Sequence, residues 1–98
     1  MITVVRSFTI QEGKVKEAFA QAAKVASYLK ENYSQDVEIL RSISGPFNKR
    51  VQVSLHASLA AWEEDEKKLR KDESFLKIIA EGHGLVRDHT VNLYETAD

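Results

Sequence analysis

The chain has 98 residues, with 14 basic and 15 acidic side chains, a formal net charge of −1 and no cysteine. Charge balanced this evenly sets up no field that would draw nucleic acid or an anionic membrane, and without cysteine there is no disulfide framework, thiolate metal site or thiol nucleophile. A chain this short buries only about 60 to 65% of its unfolded surface, so a single domain over residues 1–98 is expected, and one that gains from association. The N-terminus lacks a basic segment leading into an apolar run, and nowhere do about 18 uncharged apolar residues follow one another. The expectation is a soluble, unprocessed, cytoplasmic protein with no membrane and no nucleic-acid partner.

Ile2 to Ile10 is rich in β-branched residues and places Ile2, Val4, Arg6 and Phe8 on one face against Thr3, Val5, Ser7 and Thr9 on the other, which predicts a first strand. After Gln11, Glu12 and Gly13, apolar residues at Val15, Ala18, Phe19, Ala22, Ala26 and Leu29 fall three and four apart. That spacing predicts an amphipathic helix from about Gly13 to Asn32. Its small alanines suit close packing on a sheet. Asp36 to Ser44 alternates again, and Gly45, Pro46 and Asn48 supply the turn of a hairpin. The returning strand sets Val51, Val53 and Leu55 on one side and Gln52, Ser54 and His56 on the other.

Ser58 is a good N-cap for the next helix, whose stripe is Leu59, Trp62, Glu66 and Leu69. Glu63 with Lys67, Glu64 with Lys68 and Glu66 with Arg70 stand four apart, acid first, as on a solvated face. Asp72 starts a second helical segment with Phe75, Ile78 and Ile79 inward, and Gly82 is a natural C-cap. Leu85 to Glu95 predicts a fourth strand.

The order strand, helix, strand, strand, helix, strand is the split βαβ, or ferredoxin-like, arrangement of an α+β fold: a four-stranded antiparallel sheet with its helices on one face. The other face stays bare. Val4 and Val5 lie on opposite sides of the first strand, and Ile39 and Leu40 on opposite sides of the second, so part of that bare face is apolar. A second copy meeting it across a twofold axis is the simplest cover. The expected partner is therefore the chain itself, in a homodimer burying on the order of 1,200 to 2,000 Å² or more.

The runs FTIQEGKVKEAF (Phe8 to Phe19) and SLAAWEEDEKKLRKDESFLKI (Ser58 to Ile78) resemble the dimeric α+β barrel superfamily. That superfamily includes antibiotic-biosynthesis monooxygenase-like, NIPSNAP-like, haem-degrading and stress-responsive barrel proteins. The resemblance implies two sheets forming a barrel across a dimer, with a cleft between sheet and helices in each subunit. The haem-degrading members use an asparagine on the first strand, a tryptophan on the second helix and a histidine after a helical phenylalanine. The matching positions here hold Arg6, Arg70 and Ile79, so no axial histidine is supplied there and no cofactor is expected.

Each candidate site residue carries two readings. Arg6, on an otherwise apolar face, is either an anion or carbonyl clamp in the cleft or half of a structural salt bridge to an acidic residue of the second or fourth strand. His56 is a general base, its intrinsic pKa being near neutrality, or a rim histidine bonded to backbone. Trp62 is core, a ligand-stacking wall, or both. Tyr33, at a helix end, is a candidate cleft hydroxyl, and His83, between two glycines, sits in a loop. His83 and His89 have no carboxylate at ligand spacing, and Asp88 faces away from His89, so no metal is expected. No dinucleotide, phosphate-loop or nucleophile-elbow motif occurs, and the third strand lacks the stacking aromatics of an RNA-binding sheet. The reading is a binder of an apolar or aromatic small molecule, by resemblance a cofactor-independent monooxygenase-like enzyme. The alternatives are a ligand-sensing module of the ACT type and a purely structural dimer.

Overall fold

The computed structural model describes residues 1–97. Its elements are β1 (Ile2–Ile10), α1 (Val15–Tyr33), β2 (Val37–Arg41), β3 (Lys49–His56), α2 (Leu59–Leu69), α3 (Glu73–Glu81) and β4 (Val86–Glu95). The strands form one antiparallel sheet in the order β2-β3-β1-β4, the ferredoxin-like arrangement. β1 is central. Its register sets Arg6 opposite Gln52 on one side and Val91 on the other, and Phe8 opposite Arg50 and His89. A register shift between Thr9 and Ile10 carries the pairing with β4 from Asp88 to Val86.

The helices cover one face. Ala18 and Ala22 are fully buried, as expected of a helix whose small side chains let it lie against the sheet. Val25, Leu29 and Leu69 form the core cluster, with Tyr33, Val37, Phe75 and Ile78 packed around it. The serine and aspartate caps form as predicted: Ser58 Oγ accepts from the Ala61 N–H at 3.1 Å, and Asp72 Oδ1 from the Phe75 N–H at 3.1 Å. Among the described residues no helix is long and apolar enough to cross a membrane.

Gly82 caps α3 as expected, with a φ of −85°; a Cβ there would stand 3.2 Å from the Gln21 side chain, so the close approach of α1 also favours a glycine. Two local expectations are corrected. The acid-first pairs on α2 do not form. Among the described residues the ion pairs are Arg6 with Glu66, Lys24 with Glu81 and Lys30 with Asp36; Glu66 turns inward to Arg6 rather than along its own helix to Arg70.

The second concerns Arg6. Its partner lies on α2, not on the second or fourth strand, because the side chain stands on the helix-covered face where no strand carboxylate meets it.

The side of β3 turned to the helices is the polar one. Arg50, Gln52 and His56 are buried beneath them, while Val51 and Val53 are half-buried and Leu55 is 61% exposed on the opposite face. There the register aligns Val51 with Leu40, Val53 with Val5, and Leu55 with Thr3, itself beside Tyr94. Leu40 and Tyr94 are also exposed. The uncovered apolar face is thus broader than Val5 and Leu40 alone.

Candidate functional site

The polar side chains of β3 line a space beneath the helices. It is a cleft of about 520 Å³ between sheet and helices, within the range of small-molecule sites. Arg6 and Phe8 of β1, Arg50, Gln52, Ser54 and His56 of β3, and His89 of β4 form its floor; Trp62, Leu69, Phe75, Leu76 and Ile79 form its roof. The floor is hydrogen-bonding and the roof largely apolar, with Glu66 and Arg70 of α2 at its polar edge.

At one end, His56 is buried with Nε2 2.8 Å from Ser54 Oγ. The two stand two residues apart on one strand, hence on one face. Burial pushes the imidazole pKa below its usual value; Asp65 and Glu66 pull it upward, and the charge of Arg6 pushes it down. The imidazole is therefore neutral near pH 7. Nδ1 is the ring nitrogen left for a further partner, and in the tautomer protonated at Nε2 it has a lone pair free to accept a proton.

At mid-floor, Arg6 Nη2 donates to Glu66 Oε1 at 2.9 Å, and both side chains are about a quarter exposed (26% and 25%). A pair this open to water contributes at most about 1 kcal/mol, so a competing ligand anion can draw Arg6 away at little cost.

At the far end the Phe8 ring lies between two neighbours fixed by register. His89 stacks on it with centroids 4.4 Å apart and planes 7° from parallel, and the Arg50 guanidinium carbon sits 4.1 Å from its centroid. Arg50 Nη1 donates to the Ala18 carbonyl at 2.6 Å, while the buried Nε–H has no acceptor. Burial lowers the Arg50 pKa. His89 is lowered too, by burial first and then by the charges of Arg6 and Arg50.

The cleft brings Arg6, His56, Trp62 and His83 together. Trp62 is half-buried and lines the cleft, which unites its two readings. Tyr33 is not among the lining residues. Its hydroxyl donates to Asp72 Oδ2 at 2.8 Å beside that of Tyr28 at 2.6 Å, so it ties α1 to the start of α3. Its pKa is pushed up to about 12, chiefly by burial and then by that carboxylate. Arg70 and Ile79, at the positions the haem-degrading proteins use, also line the cleft. Sequence reasoning missed Arg50 and Phe8. The signal was present, because Arg50 shares its strand face with Gln52, Ser54 and His56. Among the described residues no three histidine or acidic side chains converge as a metal site requires.

No family model and no curated protein sequence matches the chain. Solved structures do. An uncharacterised NIPSNAP domain protein from Burkholderia xenovorans superimposes with a TM-score of 0.87 at 15% identity, over 99% of this chain and 95% of its own. SnoaB, a cofactor-independent oxygenase from Streptomyces nogalater, does so with a TM-score of 0.76 at 17% identity, over 99% of this chain and 93% of its own. This chain has the NIPSNAP and antibiotic-monooxygenase-like fold. A NIPSNAP family protein from Agrobacterium tumefaciens matches likewise, with a TM-score of 0.81 at 19% identity over 99% and 86% of the two chains. The NIPSNAP-like fold thus extends from end to end, and a shared fold leaves the chemistry to the side chains of the cleft.

Proposed function

We propose that the cleft binds an aromatic small molecule and that the protein is a cofactor-independent monooxygenase-like enzyme acting on it. The observation that carries the reading is an apolar-roofed cleft of about 520 Å³ whose floor presents a neutral imidazole, His56, together with the cation Arg6. A filled core would have favoured a purely structural role. In the proposed reaction His56 takes the hydroxyl proton of a phenolic substrate, and Arg6 stabilises the phenolate. The phenolate passes one electron to dioxygen, and the two radicals combine at a ring carbon bearing hydrogen. His56 returns its proton to the peroxide, whose O–O bond breaks as the ring carbon loses its hydrogen. One oxygen atom stays as a quinone carbonyl and the other leaves as water.

The working unit in this reading is a homodimer paired through the uncovered sheet face. The reaction is tested with 1,5-dihydroxynaphthalene, which would give a hydroxynaphthoquinone and water with one dioxygen consumed per turnover. His56→Ala should lower the rate about 100-fold or more, and Arg6→Ala should lower it as well. Oxygen uptake no faster than in these two variants would end the oxygenase reading for this substrate.

A further inference from the structure

Resting on that reading of the cleft, we infer that its Phe8 end is an anion subsite in which Arg50 receives the carboxylate of a fused-ring aromatic acid. Arg50 is only 5% exposed, and no carboxylate among the described residues stands within ion-pair distance of it. A buried cation without a counter-charge is costly unless something charged completes its surroundings. The one internal bond of the guanidinium uses Nη1, to the Ala18 carbonyl. Nε has no acceptor, and Nη2 makes no hydrogen bond among the described residues. The Nε and Nη2 edge is the one that a carboxylate meets with two parallel bonds.

The plane of that fork is held against Phe8, a stack that lysine would not reproduce. His89 lies on the other side of the ring and can add an N–H donor toward the carboxylate. The neighbouring apolar roof selects an aromatic body over a bare ion. Arg50 and His56 stand six residues apart on one strand face, about 20 Å between Cα atoms at ~3.3 Å per residue. A carboxylate at Arg50 and a hydroxyl at His56 therefore belong to opposite ends of a molecule longer than one ring.

The test is calorimetry under nitrogen with 2-naphthoate, its neutral isostere 2-naphthamide, and inorganic phosphate. The wild-type protein should bind 2-naphthoate at least about tenfold more tightly than 2-naphthamide and phosphate more weakly than either. Arg50→Gln should close the gap between the two aromatic ligands, and Arg50→Lys should restore only part of it. Should both variants fail to fold, the wild-type protein still decides: an arginine Nε–H resonance must move downfield with 2-naphthoate and stay in place with 2-naphthamide. Equal affinities for the two, a preference that survives Arg50→Gln, tighter binding of phosphate, or an unmoved Nε–H would overturn the subsite. If oxygen uptake on 1,5-dihydroxynaphthalene persists alongside such a result, the anion subsite falls alone; if neither aromatic ligand binds and uptake is absent, the proposed function falls with it.

Discussion

Leu55 offers the sharpest test of the proposed pairing. It stands on the uncovered face of β3 and is 61% exposed. Full burial of a leucine stabilises by about 1.5 to 3 kcal/mol, so covering the exposed fraction gives about 1 to 2 kcal/mol per copy. A twofold interface counts every residue twice. Replacing Leu55 with lysine should therefore weaken the dimer by about 2 to 4 kcal/mol, roughly 30- to 700-fold in its dissociation constant, before any repulsion between the two new charges. The fold of each subunit should be little affected, because an exposed position away from caps and core usually changes stability by less than about 0.5 kcal/mol. Sedimentation equilibrium over a wide concentration range reads the constant, and circular dichroism verifies the subunit. A wild-type chain that remains monomeric at the highest concentrations, or a Leu55→Lys protein that associates as tightly as its parent, would refute the argument that this face is an interface.

The neutral imidazole of His56 predicts a one-sided pH profile. Because its folded pKa lies below 6.5, the oxygen-uptake rate should be flat above that value and fall as pH drops through the depressed midpoint; a midpoint above 6.5 would contradict the burial argument. The same shift acts on stability: the unfolded chain takes up the proton first, so this contribution is intact above about pH 6.5 and is lost as pH falls from there toward the folded pKa. Asp72 accepts from both Tyr28 and Tyr33. Asp72→Asn should therefore bring the Tyr33 ionisation down from about 12 toward its ordinary 10, without reaching it because burial is the larger cause. Tyrosinate absorbance during an alkaline titration measures this, and an unchanged midpoint would remove Asp72 from the account.

Much of the architecture could be read from periodicity. Strands β1 and β4, the two caps at Ser58 and Asp72, and the break between α2 and α3 follow from patterns that local chemistry enforces. The orientation of β3 did not follow, since a period of two separates Val51, Val53 and Leu55 from Gln52, Ser54 and His56 without saying which set meets the helices. The usual rule that apolar residues face inward fails here, because two surfaces of one sheet compete for them. Glu66 was similarly ambiguous: i,i+4 spacing offered Arg70, and only the tertiary fold places Arg6 at 2.9 Å. Of the site, Arg6 was visible as a charge on an otherwise apolar face, and His56 and Trp62 as side chains whose chemistry suits a cleft. Arg50 was hidden at a strand's first turn, where an arginine ordinarily reaches solvent. Tyr33 was misplaced because its partner, Asp72, lies 39 residues away.

The central strand carries two independent assignments. Arg6 and Phe8 look toward the cleft, while Val5 and Ser7 between them look the other way. In the proposed reading, ligand preference and subunit recognition are thereby interleaved within four consecutive codons yet mechanically separated by the thickness of the sheet. A lineage can retune one without disturbing the other by single substitutions, whereas an insertion or deletion of one residue in β1 would exchange the two roles and abolish both at once.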